Sequence, residues 1–465
     1  MMPATPTTPP PDVARLRGLS RRIMVDFLPM KDFAENPLIL TEGRGIYVTD
    51  VEGRRYIDGL SGTFCVNLGH GNRALAEAAA RQIERLALAC PTLGTNDRAL
   101  ELVQALLDVM PAQYSTVKLL SGGSEVTEAA IKMARQYHKQ AGQATKYKVL
   151  SHYRAYHGGT GHALAAGGWP GWRAAYEPLP GGFVHLHTPD SYQAPFPGAP
   201  ETLGETYARL LAEVIQLEGP ETIAALITEP ILTSAGVVVP PPSYLPRVRA
   251  LCDRHDILLI YDEIITGFGR TGTLFAAEHS DAWPDIFCLG KGMSGGYAPL
   301  SANVVTERVA RAFWGTSADA VQFHAGHTYG GNPVACAVGL AALGQIAEHR
   351  VVENAKARGA QMTVRLRELQ AKYPVIGDVR GEGLLLGVEF VQDAGRRERF
   401  AADVNFGIRV REAARKRGLL LRASHWMVAF APPLTLTAVE ADQILDIFEA
   451  ALADTVEELA AGQPR

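Results

Sequence analysis

Residues 257–305 read ILLIYDEIITGFGRTGTLFAAEHSDAWPDIFCLGKGMSGGYAPLSANVV. Three short apolar runs stand in this stretch, Ile257–Tyr261, Ile286–Leu289 and Ala302–Val305. None alternates polar with apolar, so each predicts a strand buried on both faces, as in a parallel or mostly parallel sheet covered by helices. The first run stops at Asp262-Glu263 and the second at Gly290-Lys291-Gly292. In open α/β sheets ligands bind at the carboxyl ends of the strands, so these charged residues stand where chemistry is expected.

The same pattern extends outward. Val117–Leu120, Lys148–Leu150 and Ile223–Ile227 are further apolar runs, separated by segments of helical period from about Ala74 onward. Before them, ILTEGRGIYVTDVEGRRYID (39–58) alternates apolar and polar residues around a turn at Gly53, which predicts a small antiparallel meander. After Pro333 a long helical stretch is expected to about Ala371. Strands near Gly383–Phe390 and Met427–Phe430 and a closing helix Ala438–Glu458 follow. The expected organisation is a disordered Pro/Thr-rich tail (1–12), a large α/β domain (65–333), and a small α+β domain from both chain ends (13–64 and 334–465).

Composition narrows the function. The 465 residues are 47% hydrophobic and 20% charged, ordinary for a globular protein of two or three domains. Lys+Arg number 45 against 49 Asp+Glu, a net charge of −4 that argues against nucleic acid or an anionic membrane as partner. No apolar run approaches the ~18 residues that span a bilayer, and Pro and Thr occupy the N-terminus where a signal peptide needs apolar residues. The five cysteines are odd in number, widely spaced and without a C-x-x-C pair. A reducing cytoplasm is therefore expected, with each cysteine acting as a small buried hydrophobe.

Four strand ends carry informative polar residues. TVKLL runs into Ser121-Gly122-Gly123-Ser124 and then a helix, offering free N–H groups to an anion such as phosphate. An N-cap at Ser121 or Ser124 with nothing bound fits as well. Asp262 closes a fully apolar strand, where a carboxylate needs an arginine, a metal or a protonated ring nitrogen as partner, or serves as a cap. Lys291, flanked by glycines, suits a desolvated nucleophile of Schiff-base type, or a plain loop lysine. Tyr156-His157-Gly158 places aromatic rings at a strand end with access for a flat ring, although core packing would use them too. Together a phosphate site, a buried acid, a glycine-flanked lysine and a stacking aromatic are the parts that a pyridoxal phosphate (PLP) enzyme needs.

The sequence resembles a class III (ω-type) aminotransferase of PLP fold type I from about Asn36 to Glu458. The 258–305 stretch carries the likeness, with GSE (123–125), YHG (156–158), TEP (228–230), HTYGGNP (327–333) and RGEGLLLGVE (380–389). The resemblance implies a mostly parallel sheet of seven strands, ping-pong transamination and a homodimer or tetramer. It implies Lys291 as the Schiff-base lysine and proton shuttle, Asp262 as partner of the pyridinium nitrogen, and Gly123 and Ser124 as phosphate cradle. Tyr156 would stack on the ring, Thr328 would reach the phosphate of the neighbouring subunit, and Glu229 would lie near the phenolic oxygen. His157 and Ile264 complete the expected cofactor-binding set.

Two departures bear on substrate. Where ornithine- and GABA-type members carry a gating glutamate and its arginine partner, this chain has Ser234 and Ala429. Arg422 instead falls where amine:pyruvate members place a mobile arginine for the acceptor carboxylate, and Phe64 where they have a large aromatic. The resemblance therefore leans to an amine or ω-amino-acid donor with pyruvate. An aminomutase, a decarboxylating aminotransferase or a 2-oxoglutarate-dependent diamine aminotransferase shares the cofactor residues and remains the alternative. Gly267-Phe-Gly269-Arg-Thr-Gly272 mimics a dinucleotide fingerprint but lacks a long helix before the next strand. His324-x-x-His327 has the look of a metal pair without a third ligand nearby, so no metal is expected.

Overall fold

The six apolar runs and one further strand form a single seven-stranded sheet in this computed structural model, which describes residues 12–462. Across the sheet they are Tyr114–Leu120, Ser301–Thr306, Ile286–Leu289, Leu258–Asp262, Ile223–Thr228, Lys148–His152 and Phe183–Leu186. The last five pair in parallel, and Ser301–Thr306 runs against both of its neighbours. The four strands from Ile223, Leu258, Ile286 and Ser301 are buried along their whole length, which is why they read as continuous apolar sequence. Phe183–Leu186 was not expected. It is a four-residue edge strand, FVHL, with three half-buried residues, too short and too mixed to stand out as a run.

Helix Gly123–Gln140 covers one face through Val126, Ala129, Ala130, Ile131, Met133 and Ala134. Its alanines let the helix axis approach the sheet closely, and its first turn lies at the carboxyl edge of the strands. The reversed strand Ser301–Thr306 braces that edge: Ser301 Oγ donates to the Gly122 carbonyl at 3.0 Å.

Outside the large sheet the expectations need refining. The meander forms as Leu40–Arg44, Tyr47–Asp50 and Arg55–Asp58, and gains Leu419–Leu420 as a parallel fourth strand. A separate four-stranded sheet is ordered Ile376–Glu382, Leu385–Phe390, Met427–Phe430, Arg422–Ser424. The long helix after Pro333 is two helices, Pro333–Glu348 and Val351–Lys372. The break falls at Arg350, whose φ of 49° is left-handed, and no glycine or proline marks it in the sequence. The closing helix runs Ala438–Ala460 from a capping box between Thr437 and Glu440. Residues 1–11 of the expected disordered tail lie outside the described residues, and Asp12 is no part of a tail: its side chain caps helix Val13–Leu19. Cys252, Cys288 and Cys336 are buried as expected, but Cys65 is half-buried and Cys90 exposed.

Arg270 is a central link between the chain ends and the loop that follows a strand of the large sheet. Arg270 lies in the glycine loop after strand Leu258–Asp262 and is fully buried. Its Nη1 donates to the carbonyls of Leu384 (3.0 Å) and Pro432 (2.6 Å), and its Nη2 to Ser61 Oγ (3.1 Å) and Asn67 Oδ1 (2.8 Å). No carboxylate bonds it, and burial pulls its pKa down to about 9. The loop that mimicked a dinucleotide fingerprint is thus a clasp between three distant segments, and it leads to a short turn at Ala276–His279 rather than to a long helix. Arg270→Leu leaves buried acceptors without a donor, a change that costs about 3–5 kcal/mol. Thermal unfolding should show a markedly lower midpoint for this variant, whereas substitution of exposed Arg81 should leave it unchanged.

Candidate active site

The carboxyl edge of the sheet brings the expected polar residues together. Asp262 ends its strand almost fully buried. Its Oδ1 accepts from the Ile264 backbone N–H at 3.2 Å, and its Oδ2 lies 2.8 Å from His157 Nδ1. His157, itself 1% exposed, therefore reaches the site through Asp262, and its Nε2 is buried without a partner among the described residues. The neighbouring acid does something else. Glu263 points to the opposite side of the strand, where it accepts from Thr266 Oγ1 and from the N–H groups of Ala276 and Ala277 at 2.7 and 2.8 Å. Burial raises its pKa to about 7. The period-two alternation of a strand separates the pair into one acid for the site and one for the scaffold.

Two glycines permit the close approach that an anion site needs. Helix Gly123–Gln140 starts from Gly122 without any side-chain cap, so neither Ser121 nor Ser124 plays the expected capping role and the first-turn N–H groups are left for a ligand. Ser124 Oγ instead accepts from the Gly159 N–H at 3.0 Å. A Cβ at Gly158 would lie 2.7 Å from Ser124 Oγ and 2.8 Å from Ser124 Cα, and its φ of 137° excludes other residues as well. At Gly123 a Cβ would meet Ile264 Cδ1 at 3.3 Å, and Ile264 also packs near Gly290.

Lys291 follows Gly290 at the end of strand Ile286–Leu289, with a left-handed φ of 44°. Such a backbone costs a lysine about 1–3 kcal/mol and persists only where its surroundings enforce it. Burial pushes its ammonium below the usual lysine value and the positive Arg422 adds to this, while Cys65, Asp262 and Glu229 hold it up. Glu229, one residue past strand Ile223–Thr228, accepts from Thr233 N–H at 3.0 Å and Tyr156 N–H at 3.5 Å. Burial lifts its pKa to about 7.

The remaining expected residues divide. Tyr156 is half-buried and packs edge-on to Trp172 at 5.5 Å. Arg422 stands on strand Arg422–Ser424 with its guanidinium 5.8 Å from the ring centre of buried Phe64, close enough to Glu229 and Tyr156 for their charges to act on it. Thr328 lies on an exposed loop and bonds none of the other candidate residues within this chain. Ala429 pairs directly with Arg422 across the sheet. Cys65 was missed as a neighbour of Lys291; its place directly after Phe64 was the available signal. Among the described residues no cluster of three or more His, Cys, Asp or Glu side chains is arranged to hold a metal ion.

Residues 30–452 match the family model for aminotransferase class III. The chain belongs to the class-III aminotransferases. This aminotransferase is 39% identical to an uncharacterized aminotransferase of Bacillus subtilis, over 86% of this chain and 88% of that one. A thermostable (S)-enantioselective omega-transaminase from Thermomicrobium roseum superposes with a TM-score of 0.91 at 39% identity, covering 95% of this chain and 99% of the other. A PLP-bound amine transaminase from an uncultivated Pseudomonas species gives 0.89 at 36% identity, covering 93% and 98%. The fold is therefore PLP fold type I and the enzyme a PLP-dependent aminotransferase. Other relatives at 34–35% identity are named for adenosylmethionine-8-amino-7-oxononanoate, gamma-aminobutyrate or vanillin, so likeness fixes the reaction type and leaves the donor open.

The acid at position 229 makes stability depend on pH. Its folded pKa of about 7 exceeds the ordinary 4.5, so between those values the folded chain holds a proton that the unfolded chain has released. Stability is then fully present below pH 4.5 and declines as pH rises through about 7. Glu229→Gln keeps the shape without the charge and removes about 3 kcal/mol of that decline. In cofactor-free protein the variant's denaturant midpoint, relative to the parent's, should rise between about pH 4.5 and about pH 8; a constant offset over that range would contradict the assignment.

Proposed function

We propose that the enzyme transfers an amino group from a primary amine or ω-amino acid to pyruvate, by a ping-pong sequence with Lys291 as the reacting amine. The observation that carries the substrate reading is Arg422, a cation beside Phe64, Tyr156 and Glu229 with no carboxylate bonded to it among the described residues. A carboxylate-bearing acceptor would supply the missing partner bidentately, and an apolar donor would use the same space against the aromatic rings.

Bound PLP supplies an aldehyde carbon for the incoming amine and a ring that accepts the electron pair released at the donor carbon. The chain's own residues do the rest. The uncapped first turn at Gly123 and Ser124 would hold the phosphate through backbone N–H groups and the helix dipole. Asp262, fixed by His157 and the Ile264 N–H, would keep a proton on the ring nitrogen through its negative charge. Tyr156 and Ile264 would line the ring. Glu229, with a pKa near neutrality, would share a proton with the phenolic oxygen. Lys291, its ammonium weakened by burial, would present its amine to the cofactor's aldehyde and would then carry the proton of the donor.

The chain is further read as a homodimer in which Thr328 reaches the partner's phosphate site. The exposed position of Thr328 and the outward-facing Trp314, 90% exposed, support that reading. Among the described residues no helix is long and apolar enough to cross a membrane, and five free cysteines fit a reducing cytoplasm.

Borohydride treatment of the PLP-loaded enzyme should fix a pyridoxyl group on the peptide containing Lys291, and Lys291→Ala should lose at least about a thousandfold in turnover. A label on another lysine would refute the assignment. Arg422→Ala should raise KM for pyruvate about 10–100-fold, the worth of a bidentate charged contact, with a much smaller effect on an aromatic amine. Faster alanine formation from pyruvate than glutamate formation from 2-oxoglutarate is the matching outcome of an acceptor screen, and the reverse would favour a diamine-type aminotransferase.

A further inference from the structure

Trp172 belongs to no family motif identified in the sequence, yet it is the meeting point of three other aromatic rings. It sits in the short helix Pro170–Arg173, half-buried, with Tyr156 edge-on at 5.5 Å, Trp169 at 5.7 Å and Phe27 at 5.3 Å. Phe27 comes from far away in sequence, in the stretch between the first two α-helices, Val13–Leu19 and Met30–Glu35. That stretch is otherwise poorly packed: Met24 is 83% exposed and Phe27 itself 71%. Phe27 also holds a left-handed φ of 59°, an unfavourable backbone for a phenylalanine that needs an enforcing contact. The ring contact with Trp172 is one such contact. The same turn brings Asp26 near enough for its carboxylate to act on the Tyr156 phenol. The N-terminal stretch therefore lies beside the ring-lining tyrosine, and Trp172 is the wedge between them.

We propose that Trp172 is a specificity-determining residue: it holds the Ile23–Met30 stretch beside Tyr156 and forms with Phe27 and Tyr156 an aromatic wall for the apolar substituent of the amine donor. The proposal rests on the amine-donor reading given above and names the part of the molecule that would select the donor. Small donors such as alanine, bound through their carboxylate at Arg422, do not extend to this wall. Arylalkyl amines do, and edge-to-face aromatic contacts add to the burial of their rings.

The test uses the PLP-loaded full chain and two variants, Trp172→Ala and Trp172→Phe. With pyruvate as acceptor, Trp172→Ala should raise KM for 1-phenylethylamine by roughly tenfold or more, the effect of removing a buried aromatic anchor. With L-alanine as donor and another keto acid as acceptor, its KM should change by less than about threefold. Trp172→Phe should recover most of the loss. Limited trypsin digestion supplies a readout independent of donor choice, because Arg21, Arg22 and Lys31 flank the held stretch and are exposed. Cleavage there should be several-fold faster in Trp172→Ala than in the parent or in Trp172→Phe. Equal KM changes for both donors, or unchanged cleavage, would overturn the proposal. A parent enzyme that turns over alanine but no arylalkyl amine would sink the donor reading itself, and the digestion would still decide whether Trp172 holds the stretch.

Discussion

A fully buried guanidinium, that of Arg270, is hydrogen-bonded only to neutral oxygens. Arg270 spends its guanidinium on Ser61, Asn67, Leu384 and Pro432, which belong to the N-terminal segment, the second small sheet's hairpin and the segment after its last strand. A guanidinium can do this because its donors form a planar fork that reaches several acceptors at once, where an ammonium would reach fewer. The bonded residues bracket the substrate side of the site. Ser61 and Asn67 flank Phe64, and Pro432 closes the strand that carries Ala429 beside Arg422. The geometry of the pocket walls is therefore set from behind, by a residue that touches nothing in the pocket.

The front of the site is arranged by charge. The charges of Asp262, Glu229 and Arg422 all act on Lys291, Asp262 acts on Glu229 and Glu229 on Arg422, and each lies at or just beyond a strand end or on an adjoining strand. Desolvation disfavours the charged form of both the lysine and Glu229. The alternation of the sheet edge keeps the second acid of the pair, Glu263, out of this balance and uses it to pin the Ala276–His279 turn. Had both acids faced the same way, their mutual repulsion would have raised at least one pKa further.

Much of this was legible in the sequence. Unbroken apolar runs identify central strands because burial on both faces leaves no room for polar residues, and six of the seven strands announce themselves so. The short edge strand Phe183–Leu186 escapes for the converse reason. Lys291, Asp262 and Gly123 were readable because glycine and charge at the end of an apolar run are locally unusual, whereas Glu229 came only through the family resemblance. His157 as the partner of Asp262, Cys65 beside Lys291 and Trp172 beside Phe27 were not, since each depends on contacts between residues from about a hundred to more than two hundred positions apart. The break at Arg350 was hidden because a left-handed arginine carries no compositional mark.

The antiparallel strand Ser301–Thr306 has an architectural consequence. Because it begins where its two antiparallel neighbours finish, the segment from Lys291 to Ser301 is a direct bridge from Lys291 to the carbonyl of Gly122, just before the uncapped helix turn. In the function proposed above, its length works as a ruler between the amine of Lys291 and the helix turn at Gly123. Insertions that other loops of the molecule could absorb would here displace one end of the cofactor's berth relative to the other, so variation among related chains should accumulate at the Phe183 edge and spare this bridge.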